Sequence, residues 1–251
     1  MNIVIPMAGR GTRLADWQKN TPKPFISVAG KPMILWAIES LQGITASRLI
    51  LVALSEHERL FGLKNLIRPL ITSTHEFVFL ENVTEGQLCT VLAARKWIDT
   101  DEDLLIASSD TYVRSNISND IKNQPTDCKG LISVADLPDS HWSFARTDKN
   151  GRVLEVAEKV RISNNASTGL YYFRKGSDFV FFADEIIRKG EKTRNEYFVI
   201  PVYQKFIDLG MKINISQAYE TWDMGNPDAI IAFEQHYAKK NPASSFFDLD
   251  R

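Results

Sequence analysis

Short apolar runs at residues 3–6, 49–54, 77–80 and 104–107 constrain this chain most, because they are brief, partly β-branched and do not alternate with polar residues. Strands of that kind are buried on both faces, as in a parallel sheet. Helical patterns lie between them. Residues 32–41 open with Pro32 at a first-turn position and set Ile34, Ile38 and Leu41 on one face, and residues 85–98 place Leu88, Val91, Leu92 and Ile98 in the same way. Strand, helix, strand, helix predicts a doubly wound α/β half.

After Asp110 the texture changes. Residues 130–135, 143–146, 153–157 and 170–173 read as strands joined by turns such as Asp148-Lys149-Asn150-Gly151. Helical patterns follow at 177–188, 196–209 and 227–237, the last capped by Asn226 with Pro227 and Asp228 in its first turn. This half is therefore mixed, with antiparallel pairing. With 251 residues, 44% of them hydrophobic, and no repeat or Pro/Gly/Ser-rich linker, the chain reads as one domain over 1–238. Its halves, about 1–112 and 113–238, are expected to share one Rossmann-like, doubly wound mixed sheet, with 239–251 as a peripheral tail.

Lys plus Arg number 30 against 31 for Asp plus Glu, and a net charge of -1 offers no long-range field for nucleic acid or an anionic membrane. Any phosphate must be held by a local site. No apolar run approaches the ~20 residues of a membrane span, and the start of the chain has no basic segment ahead of an apolar one. The expectation is a soluble, cytoplasmic protein without nucleic-acid or membrane partners. Cys89 and Cys128 are isolated and read as structural thiols in a reducing compartment. His57, His75, His141 and His236 show no metal-ligand spacing, so they read as structural or exposed and a zinc site has little support.

Directly after the first run comes Ala8-Gly9-Arg10-Gly11-Thr12-Arg13-Leu14, a glycine turn at the carboxyl end of a strand, where open α/β sheets place their ligand crevice. Glycines there let backbone N–H groups approach phosphate oxygens. Leu14 occupies the place of the third small residue of a dinucleotide fingerprint, and no G-K-[ST] follows, so hydride-transfer and Walker-type readings both lose ground. Instead Pro22-Lys23-Pro24-Phe25 holds a lysine between two prolines that stiffen the backbone around it. A rigidly presented lysine beside a glycine turn is a candidate phosphate clamp.

In these residues the chain resembles the sugar-phosphate nucleotidylyltransferase family, whose signature reads roughly G-x-G-[ST]-R followed by P-K-P. Further pieces fall in that family's order: Thr84-Glu85-Gly86-Gln87 before a helix, Ser109-Asp110 and Glu158-Lys159 at strand ends, and Asp223-Met224-Gly225-Asn226-Pro227 near the end. The resemblance implies a fold of the nucleotide-diphospho-sugar transferase type with a small antiparallel part for the acceptor. It also implies NMP transfer from an NTP to a phosphorylated small molecule, a sugar 1-phosphate first among them.

By the same resemblance, Asp110 and Asp223 would hold Mg²⁺, Arg13 and Lys23 would be catalytic, and Met7, Ala8, Gly9, Gly11, Thr12, Gly86 and Gln87 would contact the nucleotide. Glu158, Lys159, Thr168 and Gly169 would face the acceptor, with Lys159 on its phosphate. Ala8 is similar to the variant of the glycine turn found among cytidylyltransferases, which tilts the base towards a pyrimidine: CTP, UTP or dTTP. The sequence also departs from the family's commonest pattern at Val160 and Asn226. The acceptor stays open between hexose or heptose phosphates and choline phosphate, as does oligomeric state, a homo-oligomer included.

Rival readings fare worse. A glycosyltransferase that consumes nucleotide sugars typically shows D-x-D at its metal strand, and Asp110-Thr111-Tyr112 lacks the second Asp. A non-catalytic nucleotide-binding relative usually loses a charged site residue, and all are present here. Because the chain stops soon after the Pro227 helix, a single activity is expected.

Overall fold

The apolar runs become strands because neighbouring residues find cores on opposite faces of one sheet. The computed structural model describes residues 1–14, 21–71 and 73–240. Its strands are β1 (Asn2–Pro6), β2 (Ser27–Val28), β3 (Lys31–Pro32), β4 (Arg48–Leu54), β5 (His75–Leu80), β6 (Leu104–Ala107) and β7 (Thr111–Ser115). They continue as β8 (Cys128–Ala135), β9 (Ser143–Thr147), β10 (Val153–Glu158), β11 (Ala166–Phe173) and β12 (Lys212–Asp223). Val4 and Ile106 pack on one face with the helices Gln87–Leu92 and Gly176–Lys189, while Ile3, Ile5 and Leu105 pack on the other with helix Met33–Glu39. Burial on both sides is why these strands carry no polar alternation.

The main sheet runs β5-β4-β1-β6-β11-β8-β12-β7. From β5 to β6 the pairs are parallel; β11 is antiparallel to both β6 and β8, β12 is parallel to β8, and β7 is antiparallel to β12. The halves thus share one sheet, as expected, and join where Tyr171 on β11 meets Ile106 on β6. The hairpin β9–β10 branches from β11 through Ala166 and Phe144, and β11 shifts register between Ser167 and Tyr171. That bulge lifts Thr168 and Gly169 out of the regular ladder.

A smaller cluster sits beneath the loops of the site. Leu14, Ile26, Val28, Met33 and Trp36 pack there with Met224, Ile230 and Phe233. Trp36 meets Tyr112, Phe233 and Tyr237 edge-on at 5.2, 4.8 and 4.9 Å, and its indole N–H donates to the Val28 carbonyl over 2.8 Å.

Several expectations need correction. The pattern at 85–98 is two helices, Gln87–Leu92 and Arg95–Ile98, because Ala93 and Ala94 take tighter bonds to the carbonyls of Thr90 and Val91. The helix predicted at 196–209 begins only at Pro201. Tyr197 upstream is held outside the helix, its N–H donating to the Glu85 carbonyl and its own carbonyl accepting from the Leu88 N–H. Strand β12 and the helices Ser55–Phe61, Leu63–Ile67 and Ile117–Asn123 escaped the sequence reading. Asn226 does cap the helix Pro227–Lys240, its Oδ1 accepting from the Ala229 N–H at 3.0 Å. Of the expected tail, Lys239 and Lys240 close that helix, and 241–251 lie outside the described residues. No helix among the described residues is long and apolar enough to cross a membrane.

Candidate active site

Past the end of β1, the Met7 N–H still donates to the Val52 carbonyl, and Met7 and Ala8 are buried. The chain then turns through Gly11, whose φ of 61 lies in the left-handed region, into a single 3₁₀ turn at Thr12–Leu14. Leu14 is 1% exposed and anchors this turn in the small aromatic cluster, which leaves Arg13 at the surface. Lys23 opens a second 3₁₀ turn, Lys23–Phe25, behind Pro22, and its ammonium forms an ion pair with Oδ2 of Asp110.

A cavity of about 440 Å³ lies over this loop. It is lined by Met7, Ala8, Gly9, Gly11, Thr12 and Arg13, and across from them by Lys23, Gly86, Gln87 and Asp110. Gly86 takes φ 134, and a Cβ there would fall 2.4 Å from the Tyr197 carbonyl oxygen. Only glycine lets the helix Gln87–Leu92 start so close to the Tyr197 backbone.

A second cavity of about 530 Å³ adjoins the first and is lined by Glu158, Lys159, Thr168, Gly169 and Asp223. Arg13, Ser108, Asp110, Glu196 and Phe198 belong to both walls. Each residue given a candidate metal, catalytic, nucleotide or acceptor role in the sequence therefore lines one or both of two adjoining chambers.

Asp110 stands in the turn between β6 and β7, and Asp223 ends β12, the antiparallel partner of β7, opposite Thr111. The Met224 N–H donates to the Asp110 carbonyl over 2.8 Å, stitching the two turns together. Burial pushes the Asp110 carboxyl up, but the charge and hydrogen bond of Lys23, with the charge of Arg13, outweigh it and hold the group below its ordinary range. Asp223 is the opposite case. Burial and then the negative charge of Asp110 raise it, and the Gly225 N–H, which donates to Oδ1 over 2.8 Å, offsets this only in part.

Lys23 already pairs with Asp110, and the repulsion that remains on Asp223 is what a further cation would relieve. No group of three or more His, Cys, Asp or Glu suited to a metal occurs among the described residues. That donor set does not suit an all-protein cage, but it does suit Mg²⁺, which takes one or two carboxylates and completes its shell with water and substrate phosphates.

In the second chamber Lys159 has φ 57, its N–H donates to the Trp142 carbonyl over 2.9 Å, and its ammonium lies 4.3 Å from the centre of the Phe198 ring. The Thr168 hydroxyl donates to Ser133 Oγ over 2.8 Å and is thereby committed within the fold. Gly169, φ 86, lies against Ser108, whose N–H donates to its carbonyl; a Cβ would meet Ser108 Oγ at 2.4 Å.

The sequence reading missed His141, Trp142, Ser143, Arg194, Glu196 and Phe198, which also line these chambers. His141 Nε2 lies 3.8 Å from Asp223 Oδ2, so this dispersed histidine stands at the site. Arg194 and Asn195 occupy a turn with φ 49 and 66, closed by reciprocal bonds between Thr193 and Glu196 at 3.0 Å. Such a turn ordinarily announces itself by Asn-Gly. Here it carries no glycine, so it left no signal.

Among known proteins, the family described as nucleotidyl transferase matches residues 3–240. The UTP–glucose-1-phosphate uridylyltransferase AglF of Haloferax volcanii is 26% identical over 238 residues, covering 91% of this chain and 93% of that protein. The bifunctional protein GlmU of Methanocaldococcus jannaschii is 24% identical over 245 residues, which are 96% of this chain but 55% of GlmU, so the chain spans about half that relative's length. The crystal structure of the nucleoside-diphosphate-sugar pyrophosphorylase from Vibrio cholerae RC9 shares the fold, with a TM-score of 0.80 at 24% identity over 93% of this chain and 99% of that one.

Proposed function

The chain belongs to the nucleotidyl transferase family, and on that premise we propose that it transfers an NMP group from a nucleoside triphosphate to a sugar phosphate. The products are a nucleotide sugar and pyrophosphate. The observation that carries this reading is the shared wall, where Arg13 and Asp110 border both chambers, as a reaction between two separately bound phosphates requires.

In this reading the triphosphate occupies the chamber over the glycine turn and the acceptor occupies the one beside Glu158 and Lys159. An oxygen of the acceptor's phosphate attacks the α-phosphorus in line. The new oxygen–phosphorus bond forms as the bond to the β-phosphate bridging oxygen breaks, and the electron pair leaves with pyrophosphate. The nucleophile is already an anion, so no general base is needed. Lys23 steadies the α-phosphate, Arg13 meets the charge growing on pyrophosphate, and Lys159 orients the incoming phosphate. Mg²⁺ held by Asp110 and Asp223 would neutralise charge on the α-phosphate oxygens. Gln87, with an amide that donates and accepts, and the buried Ala8 beside the turn support a pyrimidine base: CTP, UTP or dTTP. The reaction belongs in the cytoplasm, where nucleoside triphosphates are held.

A pyrophosphate-release screen of the common NTPs against hexose, heptose and choline phosphates, with Mg²⁺, tests the proposal. Release that needs one base together with a sugar phosphate is the expected result. Release no greater than that of the Asp223→Asn variant for every pair would overturn it.

A further inference from the structure

Ser143 opens β9 and stands directly opposite Glu158, the last residue of β10, in the antiparallel register. Its hydroxyl donates to Oε2 of Glu158, and the Tyr171 hydroxyl, on the neighbouring β11, donates towards Ser143 Oγ at 3.5 Å. A serine has a single hydroxyl proton. With that proton committed to Glu158, the direction of the chain is fixed, from tyrosine to serine to carboxylate. Tyr171 and Glu158 are 5% and 8% exposed, and all three residues line the acceptor-side chamber.

We propose that Ser143 is a positioning residue that holds Glu158 as an oriented hydrogen-bond acceptor, so that this side of the chamber reads a donor group, a hydroxyl or an ammonium, on the phosphorylated substrate. The inference rests on the acceptor chamber assigned under the proposed function. Ser143 occupies Oε2 and leaves Oε1 to the substrate. A protonated Glu158 would itself be a donor and would present the reverse pattern, so the ionisation state of this carboxyl decides what the chamber recognises.

Burial pushes the Glu158 carboxyl up and thus towards the wrong state. Ser143 opposes this first, and the charges of Lys159 and Arg194 follow, while Glu196 adds to the upward push. Those groups face Glu158 from β9, from the end of β10 and from the turn at 193–196, and Tyr171 faces it from β11. Ser143 is the member of this set joined to the carboxylate by a direct hydrogen bond, and it therefore sets orientation as well as charge.

The full chain, labelled with carbon-13 at Glu carboxyls, is titrated by NMR without substrates, with Glu158→Gln identifying the resonance. Ser143→Ala should move the Glu158 midpoint to higher pH, and Ser143→Thr, which keeps the hydroxyl, should return it. Coincident midpoints in wild type and Ser143→Ala would overturn the proposal. With the NTP and acceptor that release pyrophosphate in the screen above, Ser143→Ala should raise the acceptor KM roughly tenfold with little change in the NTP KM, as expected for a hydrogen bond to a charged group. An equal rise in both KM values, or none in either, would also overturn it. If no pair releases pyrophosphate, the functional reading falls and the titration alone decides the role of Ser143.

Discussion

The ammonium of Lys23 closes on Oδ2 of Asp110, the carboxylate in the wall common to both chambers, so one ion pair links the proposed phosphate clamp to the proposed metal ligand. The two aspartates consequently differ in what they do for the fold, although both are assigned to the same cation.

Asp110→Asn and Asp223→Asn should each lower turnover by roughly 10²–10³-fold, on the scale seen when a preorganised charge-stabilising group is lost. Their stabilities should diverge. Asp110→Asn leaves Lys23 unpaired and should unfold at lower urea, whereas Asp223→Asn removes repulsion with Asp110 and should unfold at equal or higher urea. Near-wild-type turnover of either variant at limiting Mg²⁺ contradicts the assignment.

Lys159→Ala and Lys23→Ala form a matched pair. Each removes a charge-assisted contact, a loss of about 1.5–3 kcal/mol or roughly ten- to a hundredfold in affinity. The first should raise the acceptor KM and spare the NTP; the second should disturb the NTP side. Steady-state kinetics with both substrates decides, and an unchanged acceptor KM and kcat in Lys159→Ala would leave that lysine as a surface strand end.

Gly86→Ala should cost about 1–3 kcal/mol of stability, the scale of overpacking, because its Cβ would collide with the Tyr197 backbone. The same shift moves the start of helix Gln87–Leu92, so the NTP KM should rise while the acceptor KM holds. Thermal unfolding and kinetics check both. A variant as stable as wild type would show that the two backbones separate freely.

Glu158 sets a pH dependence. Burial holds its carboxyl above the ordinary range, so the folded protein keeps this proton where the unfolded chain has already lost it. Its contribution to stability is full below the ordinary Glu pKa and is lost as pH rises through the folded value. Glu158→Gln should therefore gain on wild type in urea denaturation as pH is raised through that window. An advantage that stays flat or shrinks would mean that the carboxyl is no harder to ionise in the fold.

The parallel half of the fold was legible because Ile3, Ile5, Leu51 and Ile106 are buried on two faces and must all be apolar. Strand β12 was not, since Asn214, Ser216, Gln217 and Glu220 break its pattern; Ser216, for example, is buried on a hydrogen bond to Asp120. The glycine turn and Lys23 stood out by their local chemistry, whereas Asp110 and Asp223 were picked out through the family resemblance alone. His141, Trp142 and Ser143 reach the site only through the β9–β10 pairing, and Arg194 and Glu196 only through a turn without glycine, so no local pattern could place them.

The stitch between Met224 and Asp110 also sets an order of assembly, because the two turns can join only after residue 224 has been made. Strand β12 enters the sheet between β8 and β7, both made earlier on the ribosome, so their edges wait unpaired until residues 212–223 emerge. Non-local pairing of this kind folds slowly and exposes nascent chains to association. A nascent chain stalled before Asp223 carries the glycine turn, Lys23 and Asp110, yet lacks the second carboxylate and the backbone clasp that sets the first. On the proposed roles of Asp110 and Asp223, the site is complete only once residues 223 and 224 have been made.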